Sequence, residues 1–133
     1  MTNKIESIKK FFQLLQWFNT EENEYKAILH PAIEQVEYPN LIVQEIRHRN
    51  LAQLLSGAVA GKKMLAYQQF DAVKFFELTD TVIAEVKWTG ELKVAAGKLK
   101  KGQVLKAHIC CIFEFKDDKI FRQRNYDCYE PFI

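Results

Sequence analysis

The 133-residue sequence is short of cysteine, with three in all, and two of these, Cys110 and Cys111, are adjacent. That spacing builds neither a disulfide framework nor a CxxC zinc site, so reduced thiols are expected. No apolar stretch approaches the roughly 18 residues that would cross a bilayer. The opening MTNKIESIKKFF has no apolar h-region and no small-residue cleavage pattern. The expectation is a cytoplasmic chain that does not engage membranes. Neither charge sign dominates: nineteen basic residues face seventeen acidic ones and alternate with them, which leaves no footprint for nucleic acid. The densest basic run, Lys98, Lys100 and Lys101 between Gly97 and Gly102, reads as a solvated hairpin tip. No HExxH spacing and no glycine-rich phosphate loop occur, so neither a metal nor a cofactor is expected. Repeats, low-complexity stretches and linkers are missing as well, which predicts one domain over residues 1–133.

What the chain has is apolar mass. Hydrophobic residues are 48% and aromatics 13% of the sequence, too many for a disordered segment and enough for a core of its own. From Lys4 to Phe18 the apolar residues Ile5, Ile8, Phe11, Phe12, Leu14, Leu15 and Phe18 fall at helical spacing with a broad buried face. Thr20 offers an N-cap for a second, short helix to about Leu29, and His30-Pro31 ends it. Ile33, Val36 and Tyr38 suggest a short extended segment closed by Pro39-Asn40. A third helix is predicted from Asn50 to about Lys62. Beyond it the period changes to two, and Ala66–Leu78, Thr81–Val94, Gln103–Lys116 and Lys119–Tyr129 read as four long strands. Helices followed by a strand meander give an α+β domain with helices on one face of an antiparallel sheet.

Alternation along those strands separates their faces. Val82, Ala84, Val86 and Trp88 share the apolar phase, as do Ile109, Cys111, Phe113 and Phe115; His108, Cys110, Ile112 and Glu114 look the other way. The last strand is different, because neither phase is purely apolar. If Phe121 faces the helices, Gln123, Asn125 and Asp127 follow it and form a polar ladder inside, a set that needs partners or a ligand.

The helical opening, the stretches ILHPAIEQVEYPN and DTVIAEVKWTG, and the ending FEFKDDKIFRQRNYDCYEPF resemble the SnoaL-like branch of the nuclear transport factor 2-like superfamily over nearly the whole chain. The resemblance implies a cystatin-like fold: a cone-shaped, curved antiparallel sheet with three N-terminal helices packed on its concave face. It also implies a conical pocket for a small apolar ligand and a homodimer formed across the sheet. It does not imply one chemistry. The aspartate base of ketosteroid isomerase aligns with Tyr38, its tyrosine falls near Phe12 and its protonated aspartate near Cys111. The acid/base aspartate of SnoaL-type cyclases aligns with Asn125 and the histidine before it with Gln123. The Asp-Arg-Asp set of the epoxide hydrolases aligns with nothing here.

Asp127 is then the carboxylate left on the inward phase, and burial beside aromatic residues would raise its pKa into the range of a general base. The alternative is a carboxylate at a strand end, paired with Arg122 or Arg124. Asp127 and Asn125 are the catalytic candidates. Trp17, Tyr38, Trp88, Ile109, Cys111, Phe113 and Gln123 are the candidate ligand-binding residues. Two readings stay open. One is a cofactor-independent isomerase, cyclase or dehydratase acting on an apolar oxygenated ligand; the other is a non-catalytic binding or dimeric interaction module of the same fold.

Overall fold

The computed structural model describes residues 3–132. Three helices, α1 (Lys4–Gln16), α2 (Glu22–Lys26) and α3 (Leu51–Met64), accompany six strands. The strands are β1 (Leu29–Glu37), β2 (Arg47–Arg49), β3 (Leu65–Glu77), β4 (Thr81–Leu92), β5 (Val104–Lys116) and β6 (Lys119–Tyr129). They make one sheet in the order β2-β1-β6-β5-β4-β3. Four of the five pairings are antiparallel, but β1 runs parallel to β6. The sheet is therefore mixed, not antiparallel as expected. Hairpin periodicity reports β3 to β6 well and is silent about β1, which reaches β6 from the far end of the sequence.

Local chemistry accounts for the element ends. Asn3 caps α1 by accepting from the amide of Glu6. Asn50 opens α3 with a reciprocal capping box, its side chain and that of Gln53 each satisfying the other's backbone amide. The second helix is shorter than expected and begins after Glu21, not Thr20; Asn19, bonded to the Glu21 amide at 2.8 Å, shapes the turn before it. Asp117 and Asp118 both take positive φ, the two-residue turn geometry that matches the twist of β5 and β6.

The core lies between α1 and the inward face of the sheet. Ile8, Phe11 and Leu14 of α1, with Val82, Ala84, Phe113 and Ile120 of the sheet, are almost completely shielded from solvent. Phe12 stacks on Phe70 with centroids 5.2 Å apart and meets Phe113 edge-on at 5.9 Å. Burying a side chain of this size stabilises by about 1.5–3 kcal/mol. The wedge of Phe12, Phe70 and Phe113 thus closes the floor on which the polar wall stands. On the opposite face His108, Cys110, Ile112 and Glu114 point away from the helices, and Tyr38 stacks on Tyr126 at 4.7 Å. Among the described residues no helix is long and apolar enough to cross a membrane.

One irregularity governs β6. Glu114 pairs with Arg122 and Phe115 with Ile120, so Phe121 is an extra residue in the ladder. Ile120, not Phe121, enters the core. Phe121 lies outside it, against the ring of His30 at 5.0 Å and beneath Lys116 and Arg122. The expected inward position of Phe121 is therefore corrected, yet the bulge restores the phase, and Gln123, Asn125 and Asp127 line the helix-covered side.

Candidate functional site

A cavity of about 420 Å³ opens between α1, α3 and the inward face of the sheet. Its apolar wall includes Phe12, Phe70, Val86, Trp88, Ile109 and Cys111. Its polar wall comes from β1, β2 and β6: Gln35, Glu37, Arg49, Gln123, Asn125 and Asp127, with Tyr129 beside them. Every second residue of β1 and β6 contributes, because the parallel register sets Gln35 against Gln123 and Glu37 against Asn125.

These polar groups form one hydrogen-bonded chain. Arg49 donates to Glu37 Oε1 at 2.9 Å and to Gln35 Oε1 at 3.1 Å. The Gln35 amide donates to Gln123 Oε1 at 2.9 Å, and the Gln123 amide donates to Asn125 Oδ1 at 2.9 Å. Asn40 donates to the second oxygen of Glu37 at 3.0 Å, holding the carboxylate against Arg49. Gln35 and Gln123 are 6% and 2% exposed. Leaving either buried amide unpaired would cost about 1–3 kcal/mol, so the chain is held by what breaking it would require.

Asp127 stands outside this chain. Its Oδ1 is buried and has no hydrogen-bond partner among the described residues. Arg124 pairs with Glu114 on the other face, and Arg122 is exposed, so neither arginine of the alternative reading neutralises Asp127. Burial raises its pKa from 3.8 to about 6, the negative charge of Glu37 pushes the same way, and Arg49 opposes both. Asp127 in turn pushes up the Tyr129 hydroxyl and the Cys111 thiol, each already raised by burial. A thiol so placed is a wall group and not a nucleophile.

Trp88 donates from its indole to Gln68 Oε1 at 3.0 Å, and Gln68 donates to the Leu15 carbonyl at 2.7 Å, which fixes the indole on the wall. The indole lies along its own strand over Gly90, where a Cβ would meet two of its carbons at 2.6 Å. Glycine at 90 is what allows Trp88 this position.

Asn125, Asp127, Trp88, Ile109, Cys111 and Gln123 thus share one cavity. Phe113 is wholly buried behind the wall, packed on Phe12, and does not line it. Trp17 is corrected: it is the C-cap of α1 and 64% exposed, because the helix ends at Gln16, two residues early, and leaves the indole beyond the buried face. Tyr38 is corrected too, since it lies one residue past Glu37 and so on the opposite face, stacked on Tyr126. Gln35, Glu37, Arg49 and Tyr129 join the site without having been expected there. The alternation of Ile33, Gln35 and Glu37 carries the signal for two of them, whereas grouping Ile33 with Val36 and Tyr38 mixes the two faces. The resemblance offers no aligned acid-arginine-acid set, but folding brings Glu37, Arg49 and Asp127 to the same cavity.

No family model matches the sequence, and no curated protein matches it. Solved structures do match its shape. IdmH from Streptomyces antibioticus, a candidate polyketide cyclase, superimposes with a TM-score of 0.77 at 8% identity, over 94% of this chain and 91% of that one. A candidate SnoaL-like polyketide cyclase from Jannaschia sp. CCS1 gives 0.74 at 11% identity, over 93% and 84%. An LEH-like epoxide hydrolase from M. tuberculosis gives 0.67 at 15%, over 96% and 82%. At such identities the likeness establishes the fold and nothing finer: this chain has the α+β fold, with a curved six-stranded mixed sheet, that the SnoaL-like and ketosteroid isomerase-like structures share.

Proposed function

We propose that this protein binds an apolar, oxygenated small molecule in the cavity and moves a proton on it, with Asp127 as the base and no cofactor. The observation that carries the reading is the state of Asp127: a buried carboxylate oxygen without a partner, a pKa raised to about 6, and a position on the wall of an open cavity. A base with a pKa near the working pH combines a deprotonated fraction with a strong pull on the proton. Trp88, Phe70 and Ile109 supply the apolar wall, and Asn125 supplies a polar group two residues from the base. Proton transfer of this kind serves isomerisation, cyclisation and dehydration alike.

A ketone tests the proposal without knowledge of the natural substrate. With 2-tetralone in D2O, the protein should accelerate exchange of the protons next to the carbonyl, followed by proton NMR. The acceleration should rise with pH through about 6, as Asp127 ionises, and Asp127→Asn should lower it by about 10²-fold or more. Equal acceleration by the variant removes Asp127 from its role. Binding without any exchange favours the second reading, a non-catalytic ligand-binding module. That reading draws on the resemblance, in which Tyr38 aligns with the isomerase's base and Phe12 and Cys111 fall near its hydroxyl and acid.

A further inference from the structure

Arg49 has five N–H donors and no acceptor. Its 3.1 Å bond to Gln35 therefore fixes the Gln35 side-chain oxygen toward the guanidinium and turns the amide nitrogen the other way. That nitrogen can only be satisfied by an acceptor, so Gln123 presents oxygen to it at 2.9 Å and nitrogen to its far side. The Gln123 nitrogen then engages Asn125 Oδ1 at 2.9 Å. At the end of the chain the Asn125 oxygen is turned toward Gln123, which leaves its NH2 on the side away from that bond, in a residue that lines the cavity. Glu37, itself held by Asn40, keeps Arg49 in place from the other side. From Arg49 through Gln35 and Gln123 to Asn125 the three bonds point the same way, and bonds so aligned polarise one another.

We infer that Arg49 is a positioning residue which, through Gln35 and Gln123, sets Asn125 as a hydrogen-bond donor and so selects ligands that present an acceptor oxygen at that point of the cavity. Asn125 cannot be assigned this role from its own chemistry, since an amide is equally able to donate and accept. The selection comes from the far end of a relay spanning three strands. It also acts against carboxylate ligands, which would meet Glu37 and Asp127 with Arg49 already engaged. A neutral carbonyl oxygen meets the donor and leaves Asp127 free beside it. The inference rests on the proposed site but not on catalysis there.

Gln35→Glu tests the relay because it reverses it. The introduced carboxylate still accepts from Arg49, but its second oxygen also accepts, so Gln123 turns its nitrogen toward β1 and its oxygen toward Asn125. Asn125 must then donate to Gln123 and show its oxygen to the cavity. The probes are 2-tetralone, an acceptor only, and 1,2,3,4-tetrahydro-2-naphthol, which has the same skeleton and can donate. Dissociation constants from ligand-observed NMR should show ketone binding weakened about tenfold or more in the variant while the alcohol holds within about threefold. Parallel loss of both, no change in either, or failure of the wild-type protein to bind the ketone overturns the inference. Asn125→Asp, an acceptor at the end of an intact relay, gives the same ketone-specific loss if Gln35→Glu does not fold. Deuterium exchange in the bound ketone separates the two claims. Its absence with the selectivity switch present refutes Asp127 as the base and leaves the relay standing.

Discussion

Replacing Asp127 with asparagine removes a buried charge while keeping the shape of the side chain, and its effect on stability can be worked out from the ionisation alone. A carboxyl raised from 3.8 to about 6 is harder to ionise in the fold than in the unfolded chain. At ~1.4 kcal/mol per pKa step this is about 3 kcal/mol. The cavity mouth leaves some solvent screening, so about 2 kcal/mol is a fairer expectation. The sign follows from linkage. Below pH 3.8 both states hold the proton and Asp127 contributes no pH dependence. Between 3.8 and about 6 the unfolded chain releases its proton first, and stability falls; above about 6 the loss is complete and constant. Asparagine has no such loss, so the variant gains on the wild type as pH rises. Urea unfolding at pH 4 and pH 8 should give a difference between the two proteins that grows by about 2 kcal/mol in favour of Asp127→Asn. Any constant offset from the new amide cancels in that comparison. A difference that is flat with pH, or that grows in favour of the wild type, refutes the account of Asp127 as a charge held against its own burial.

Gly90→Ala places a methyl group where the Trp88 indole lies 2.6 Å away, so the indole must leave its bond to Gln68. A loss of about 1–3 kcal/mol is expected, with a red shift in Trp88 emission measured in a Trp17→Phe background; unchanged emission would refute the packing argument. The three thiols should separate under a chromogenic disulfide reagent: exposed Cys128 reacts first, and Cys111, 3% exposed and raised by burial, reacts only as the protein unfolds. Modification of native Cys111 at the rate of Cys128 would show the cavity wall to be open.

Alternation makes the meander legible. Strands β4 and β5 each carry one uninterrupted apolar phase, and a two-residue repeat assigns faces directly when no bulge intervenes. On β6 the same logic reaches the inward triplet Gln123, Asn125 and Asp127 from a mistaken starting point. Phe121 is the bulge, and its outward turn brings Ile120 into phase with the triplet. What alternation cannot supply is pairing between distant strands. Gln35 and Gln123 bond across 88 residues of sequence, and Arg49 comes from a three-residue strand too short to show a period. Tyr38 is misplaced by the sequence for a related reason: an extended segment has two faces, and Ile33 and Gln35, not Val36, mark the one that looks inward.

The polar wall is built from two different solutions to burial. From Arg49 to Asn125 each side chain donates to the next, and the chain is stable because breaking any link would leave a buried amide or a charge unpaired. At Asp127 the same cavity leaves a carboxylate oxygen without a partner and places a second carboxylate near it. Had the site served only to fill the interior, an uncharged residue at 127 would avoid the cost of ionising a buried carboxyl, and the comparison above measures that pH-dependent cost. A fold that carries a buried, unpartnered carboxylate beside a hydrogen-bonded relay has the arrangement expected where a charge is kept ready for a ligand. On the proposed reading, the relay sets where the oxygen of a ligand sits, and Asp127 sets which of its protons is taken.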